Sequence, residues 1–328
     1  MDAGHPLPDA RSLAAGQRVL ELLSRLTPND LLICLISGGA SALMTAPVDG
    51  ISLDELRGLT SLLLANGASI DELNAVRKRL DQLKGGGLAQ RTSAKIVSLI
   101  LSDVVGDRLD LIASGPTVPD STSAETIEQI ISQYKLASRL RPQMLTALTH
   151  KREVGNFSHV QNVIVGSNRL AVRAALAAAR RAGFQARILT ATMQGEARVQ
   201  GAQLAKTLRR ARTRPLCLIA GGETTVTVMG EGVGGCNQEL ALASAIELDG
   251  LHDVMLLSFA TDGDDGPTGA AGAIVNGETL ERSRALDLDA WDFLLRNDSH
   301  TFFKALDDLL IPGPTGTNVN DLVLLFKF

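Results

Sequence analysis

The chain has 328 residues, 45% of them hydrophobic but only 3% aromatic, with 31 glycines and a formal net charge of −4. That length suits about two domains of ~150 residues, each with a sizeable core. The charge forms no basic patch or acidic tail, and no apolar run approaches the ~18 residues of a bilayer span, which argues against nucleic acid and membrane as partners.

In chain order, Gly4-His5-Pro6-Leu7-Pro8-Asp9 is a proline-stiffened connection, and the spacing of Leu13, Gly16, Leu20 and Leu23 predicts a helix over 12–26. The apolar run 31–36 reads as a strand buried on both faces of a parallel sheet, ending in Ser37-Gly38-Gly39-Ala40-Ser41. Helices follow over 53–66, with Ser52 as cap, and over 70–83, the second carrying Arg77, Lys78 and Arg79 before Lys84 and a triple glycine. A strand over 96–101 ends in Ser102-Asp103-Val104-Val105-Gly106-Asp107, and Ser114-Gly115-Pro116-Thr117 is a loop. Helices over 122–136 and 141–149 precede a polar linker over 150–159.

A strand over 160–165 leads through Gly166-Ser167-Asn168 into an Ala-rich helix over 170–182, a short strand over 186–189 and a helix over 195–212. The chain is then organised around residues 215–239. An apolar strand stops at Gly221-Gly222-Glu223, a Thr- and Val-rich run over 224–229 favours a second strand, and Gly230, Gly232, Gly234 and Gly235 lead to a helix opening at Asn237-Gln238-Glu239. Such glycines let a backbone approach a ligand, and a helix N-terminus attracts anions; a plain Gly-rich hairpin is the alternative. A strand over 254–260 ends in Thr261-Asp262-Gly263-Asp264-Asp265-Gly266-Pro267. One or two helices over 291–310, the loop 313–318 and a last strand over 322–326 complete the chain.

Strand and helix alternate throughout, which predicts an α/β fold with two layered domains, mostly parallel sheets and ligands at the carboxyl ends of strands. The three cysteines, Cys34, Cys217 and Cys236, lie far apart with no C-x-x-C spacing, so neither a zinc knuckle nor a disulfide framework is indicated. With no signal-peptide pattern at the N-terminus, the expected location is a reducing cytoplasm.

Ser37-Gly38-Gly39-Ala40-Ser41 could cradle an anion with backbone N–H groups and hydroxyls, or be a tight turn; no Gly-Lys-Ser/Thr makes it a P-loop. The cations after Asn74 suit a helix C-terminus for dipole reasons or an anion site. Asp103, Asp107, Asp262, Asp264 and Asp265 are loop carboxylates of the kind that bind Mg²⁺ or accept a hydroxyl proton, or ordinary turn residues. The sequence holds no Gly-x-Ser-x-Gly elbow and no metal-spaced His pair.

The motifs Gly4-His5-Pro6-Leu7-Pro8-Asp9, Ser37 to Leu43, Asn74-x-Val76-Arg77-Lys78, Lys84-Gly85-Gly86, Ser102 to Asp107 and Ser114 to Thr117 resemble the first domain of class II glycerate 2-kinases. Gly221 to Val228, Asn237-Gln238-Glu239, Thr261 to Pro267 and Gly313 to Val319 resemble the second, MOFRL, domain of that family. The matches run in order from Gly4 to Asp321. The resemblance implies a Rossmann-like first domain over 1–155 and a second α/β domain over 156–328 containing the MOFRL region from about 215 to 328.

It further implies phosphorylation of D-glycerate at O2, with ATP and Mg²⁺, in a cleft between the domains and within carbohydrate metabolism. Members have also been labelled hydroxypyruvate reductases, but the chain has no Gly-x-Gly-x-x-Gly nicotinamide fingerprint. On this resemblance Ser37, Gly38, Gly39, Ser41, Gly115 and Thr117 bind substrate or nucleotide, and Gly221, Gly222, Glu223, Asn237, Glu239, Asp262, Asp265 and Asn318 do the same in the second domain. Asp103, Asp107, Arg77 and Lys84 are the catalytic candidates, with Asp103 and Asp262 the candidate metal ligands. The oligomeric state is not legible, which leaves a homodimer open.

Two departures stand out. The family's N-terminal segment, with a Gly-Lys loop whose lysine acts in the active site, has no counterpart, so an uncovered apolar patch is expected near 31–36 or 96–101. The family reads Gly-Gly-Arg-Asn-Gln-Glu where this chain has Cys236, and an arginine stabilising a phosphoryl transition state is worth on the order of 10³ to 10⁵ in rate. A relative that binds ligand without turnover is therefore the alternative expectation.

Overall fold

The computed structural model describes Ala3, Gly4, residues 7–150 and residues 155–328. His5 of the opening motif and part of the linker expected over 150–159 lie outside the described residues. The chain divides into two compact units, Met1–Leu101 with Asp107–Val165, and Ser102–Gly106 with Gly166–Phe328.

In the first unit, α1 (Ala10–Arg25), β1 (Leu31–Ile36) and α2 (Ala40–Leu43) are followed by α3 (Leu53–Ala65) and α4 (Ile70–Leu80). Ser52 with Glu55, and Ser69 with Glu72, form capping boxes that satisfy the first N–H groups of α3 and α4. After α5 (Gly87–Gln90) come β2 (Lys95–Leu101), α6 (Ala124–Gln133), α7 (Pro142–Thr149) and β3 (Val160–Gly166). The sheet order is β1-β2-β3, with β1 and β2 parallel from Leu31 opposite Lys95 to Ile36 opposite Ile100. Because β3 joins this sheet, the first unit extends to Val165, past the boundary of 155 read from sequence.

One core of this unit packs α3, α4, α6 and α7 through residues such as Leu63, Leu80, Ile127 and Leu148. A smaller one joins α1 to the sheet through Leu23, Leu83, Ala89 and Ile96. The expectation that β1 is buried on both faces does not hold. Leu31, Ile33 and Leu35 are 58%, 57% and 80% exposed, while Ile96 and Ile100 of β2 are covered.

The second unit contains α8 (Asn168–Arg181), β4 (Gln185–Met193), α9 (Ala197–Arg210), β5 (Leu216–Gly222), α10 (Cys236–Leu248) and β6 (Val254–Ala260). Then come β7 (Gly272–Asn276), α11 (Thr279–Ala285), α12 (Ala290–Leu295), α13 (Ser299–Leu306), β8 (Leu309–Leu310) and β9 (Asp321–Lys327). The sheet order is β4-β5-β9-β6-β7-β8. All seven residues of β5 are buried, as its unbroken apolar run requires. One face of the sheet packs on α9, α10, α12 and α13, and the other on α8.

The layered α/β expectation is met, but the second sheet is not mostly parallel. Only β4 and β5 pair in parallel; β9 lies antiparallel to both β5 and β6, and β7 and β8 follow antiparallel. The last strand of the chain inserts between earlier ones, and antiparallel neighbours need no crossover helix to signal them in sequence. The strand predicted over 224–229 is also absent; apart from a single bridge from Thr225 to Glu196, it is a loop. Thr225 N donates to the Gly195 carbonyl, and side chains take other N–H groups of the loop. Glu196 accepts from Thr227 N, and Asn297 Oδ1 accepts from Met229 N and Gly230 N at 2.7 and 3.0 Å. Among the described residues, no helix is long and apolar enough to cross a membrane.

Candidate active site

In the first unit the structure brings together three side chains, one of them on the short helix that follows the Ser37-Gly38-Gly39 turn. Gly39, at φ +76°, turns the chain from β1 into α2, a conformation glycine adopts freely. Ser41, on α2, lies 2.8 Å from Ser114 through their hydroxyls, and Ser114 donates to Asn74 Oδ1 of α4 at 2.9 Å. Arg77 is one helical turn beyond Asn74, on the same face of α4. Arg77 is half-buried, burial pulls its proton affinity down, and among the described residues it has no hydrogen-bond or ion-pair partner.

The other sequence candidates of this unit are committed elsewhere. Lys84 is buried, with its ammonium 2.5 Å from Asp81 and 3.2 Å from the Met44 carbonyl. Asp81 itself accepts from Thr45, Ala46 and Leu83, so Lys84 completes a buried structural network rather than presenting an open cation. Lys78 pairs with Asp110 and Asp120. Thr117 donates to Asn162 on β3 at 2.7 Å and ties the loop after Gly115 to the sheet. Asp107 holds a left-handed conformation at φ +57°.

In the second unit the N-terminus of α10 is not vacant. Asp265 reaches it, with Oδ1 accepting from Asn237 N at 3.0 Å and Oδ2 from Gln238 N at 2.9 Å. The carboxylate of the chain's own Asp265 thus takes the place expected for a bound anion. Asn237 is 1% exposed; its amide nitrogen also reaches Asp321 at 2.8 Å, and its Oδ1 accepts from Ser258 at 2.7 Å. Glu239 is buried against Arg198 at 2.8 Å and Asn297 at 2.9 Å, which secures the loop over 224–235. The loop glycines serve close contacts within the chain. A side chain at Gly230 would strike the Arg296 backbone, and one at Gly235 would strike Asp265. Gly221 and Gly222 likewise give room to Asn168 and Met193.

What the second unit leaves unbalanced is negative charge. Burial, then the nearby Asp265 and Glu223 charges, push Asp321 up to about 7, against a hydrogen bond from Asn237 that pulls the other way. Glu223 is raised by burial of its carboxyl end and by Asp103, and Asp103 is raised by burial. Cys236 Sγ sits 3.4 Å from Asp265 and 3.6 Å from Asp321, and burial with these two charges drives its thiol far above the ordinary range. Asp262 accepts from Asn318 at 3.2 Å, a contact between two loop tips.

Two family models match the chain: "Domain of unknown function (DUF4147)" over residues 1–149 and "MOFRL family" over residues 216–321. The D-glycerate 2-kinase of Thermotoga maritima is 44% identical over an alignment of 331 positions that covers 98% of this chain and 78% of that protein. The glycerate kinase of Homo sapiens is 43% identical over an alignment of 374 positions that covers 98% of this chain and 72% of the relative. A crystal structure of the Thermotoga maritima glycerate kinase matches 99% of this chain and 80% of its own with a TM-score of 0.95. The chain belongs to the glycerate kinase family.

For a glycerate kinase, the acidic surroundings of Cys236 are informative. An arginine at that position would set a guanidinium against Asp265 and Asp321; here the two carboxylates face a thiol, and burial with the neighbouring negative charge pushes Asp321 up to about 7. Among the described residues no group of three or more His, Cys, Asp or Glu side chains is arranged to hold a metal. Asp103 and Glu223 lie near enough for the charge of one to raise the other.

Sequence reasoning passed over Ser114, Asp321, Asn297 and Arg198. Ser114 was legible as part of a matched motif, and its signal was the Ser-Gly-Pro turn itself. Asp321 begins β9 and its role depends on strand insertion, while Asn297 and Arg198 are brought to Glu239 from distant elements. None of these has a local signature.

Proposed function

We propose that this chain is a glycerate 2-kinase that transfers a phosphoryl group from ATP to O2 of D-glycerate, giving 2-phosphoglycerate. The named relatives supply the reaction class. Arg77 is the observation in this chain that carries the reading. A half-buried guanidinium without a partner is poorly solvated, and a phosphate or carboxylate would repay that desolvation with charge-assisted, bidentate hydrogen bonds. The turn Ser37-Gly38-Gly39 after β1 would add backbone donors for such an anion.

We assign anion binding and the hydroxyl proton to the first unit, in which Asp107 lies, and the chemistry of the cation to the second. Asp103, with Asp262, would hold Mg²⁺, whose charge neutralises the transferring phosphoryl group. Burial pushes Asp103 up, and burial with the Asp103 charge pushes Glu223 up, so a nearby cation would offset the cost of their charge, and that supports the assignment. Asp107 is assigned to receive the substrate hydroxyl proton; a non-glycine residue kept in a left-handed conformation suggests a constraint beyond the turn. Asp265, Asn237 and Glu239 have partners within the chain, and we assign them to support of the α10 terminus and its loop rather than to substrate. Three free cysteines fit a reducing cytoplasm.

A coupled assay with ATP and D-glycerate tests the reading, with the phosphorylated carbon assigned by phosphorus–proton NMR. Turnover with phosphate on C2 is expected, and Cys236→Arg should raise it by restoring a cation between Asp265 and Asp321. The absence of turnover in both the parent and Cys236→Arg at saturating substrate would overturn it.

A further inference from the structure

Ser114 occupies an unfavourable conformation. Its φ of +58° lies between Ala113 at +53° and Gly115 at +62°, so two consecutive non-glycine residues are left-handed. Each such residue is strained, and a glycine at 114 would avoid it. The serine is fully buried, and its hydroxyl makes two contacts: it donates to Asn74 Oδ1 and it meets Ser41 Oγ.

A hydroxyl has one proton. That of Ser114 goes to Asn74, so the 2.8 Å contact with Ser41 is filled by the proton of Ser41. Both protons run inward, from Ser41 to Ser114 to Asn74. The oxygen of half-buried Ser41 therefore keeps only lone pairs for a ligand. It cannot donate to a phosphate or a carboxylate; it accepts from a hydroxyl. The relay ends on an amide oxygen, which does not take up a proton at neutral pH, so it cannot carry away the proton of the hydroxyl being phosphorylated.

We propose that Ser114 is a positioning residue that fixes Ser41 as a hydrogen-bond acceptor for the non-reacting 3-hydroxyl of D-glycerate. This rests on the reading that the chain acts on D-glycerate and deepens it by assigning a specificity determinant. Ser41 discriminates between D-glycerate and its analogue lacking that hydroxyl, D-lactate.

The test is the ratio of the Kd values for D-lactate and D-glycerate, measured by calorimetry on the full chain, the parent, Ser41→Ala, Ser114→Gly and the double variant. Binding reads the proposal whether or not the chain turns over, so its failure is distinct from failure of the kinase reading, which shows as absent turnover. A neutral hydrogen bond predicts that the parent prefers D-glycerate by about tenfold. Both single variants should lose that preference, mainly through weaker D-glycerate binding, with D-lactate binding unchanged. The double variant should be no worse than either single one. Ser114→Gly exchanges the lost hydrogen bonds for relief of strain, so its thermal midpoint should stay near that of the parent, which a purely structural serine would not allow. A preference kept in both variants, additive losses, or a parent that binds both acids equally overturns the proposal.

Discussion

The two units carry opposite electrostatic imbalances. In the first, the charges that look functional in sequence are mostly neutralised by their own neighbours, Lys84 by Asp81 and Lys78 by Asp110 and Asp120, and among the described residues Arg77 alone of these cations is left without a partner. In the second, Asp265 is spent on the N-terminus of α10, yet Asp321, Glu223 and Asp103 are all pushed toward the protonated form. The first unit lacks an anion and the second lacks a cation. The difference teaches that a count of charged residues says little; what remains unpaired after folding indicates the chemistry.

Arg77→Gln is the strongest way to break this contrast. Removing a charge-assisted contact to an anionic group should lower kcat/KM by about 100-fold or more, equivalent to roughly 3 kcal/mol. The same change removes a poorly solvated cation, so stability against urea should hold or rise. Parallel losses of activity and stability would mean that Arg77 supports the fold and that the first unit has no open charge.

Asp265→Ala addresses the opposite claim, that this carboxylate is structural. It strips the acceptor from two N–H groups at a buried helix N-terminus and from Gln238 Nε2. The expected loss is about 2–4 kcal/mol in urea denaturation. Ser69→Ala, which removes an exposed cap from α4, should lose only about 1 kcal/mol. Equal losses would show that the α10 terminus is supported by something other than Asp265.

The layering of the fold was legible because buried strands such as β5 are unbroken apolar runs and helices such as α3 and α4 announce themselves with Ser-x-x-Glu boxes. The central position of β9 was not, since nothing in Leu322 to Phe326 says which strands it will separate. At the site, Arg77 could be named from its motif, but its solitude could not, because that depends on which of three neighbouring cations find carboxylates. The Gly-rich run from Gly230 to Gly235 was read as room for a ligand. In the folded chain that room is filled by Arg296, Asp298, Ser299 and Asp265, which come from far along the sequence. Composition tells that a backbone must be approached closely, and only the fold tells by what.

Asp321→Asn is expected to have the smallest effect at acidic pH and to isolate the charge imbalance of the second unit. The carboxyl is 6% exposed and is pushed from 3.8 up to about 7 in the folded state, first by burial and then by its acidic neighbours. Between those values the folded chain keeps a proton that the unfolded chain has released, so folding stability falls as pH rises from about 4 to about 7 and is level beyond. Asparagine can still accept from Asn237 Nδ2 through its own oxygen and does not titrate. The variant should match the parent near pH 4, diverge through the window, and above pH 7 exceed it by on the order of 2 kcal/mol or more. Urea midpoints at pH 4, 5.5 and 7.5 read this directly. In a Cys236→Arg background the guanidinium would favour the ionised carboxylate, so Asp321→Asn should then lose its advantage at pH 7.5 and become destabilising. If instead parent and variant trace parallel pH profiles in both backgrounds, Asp321 is ionised throughout and the second unit has no deficit of positive charge for an arginine or a metal ion to fill.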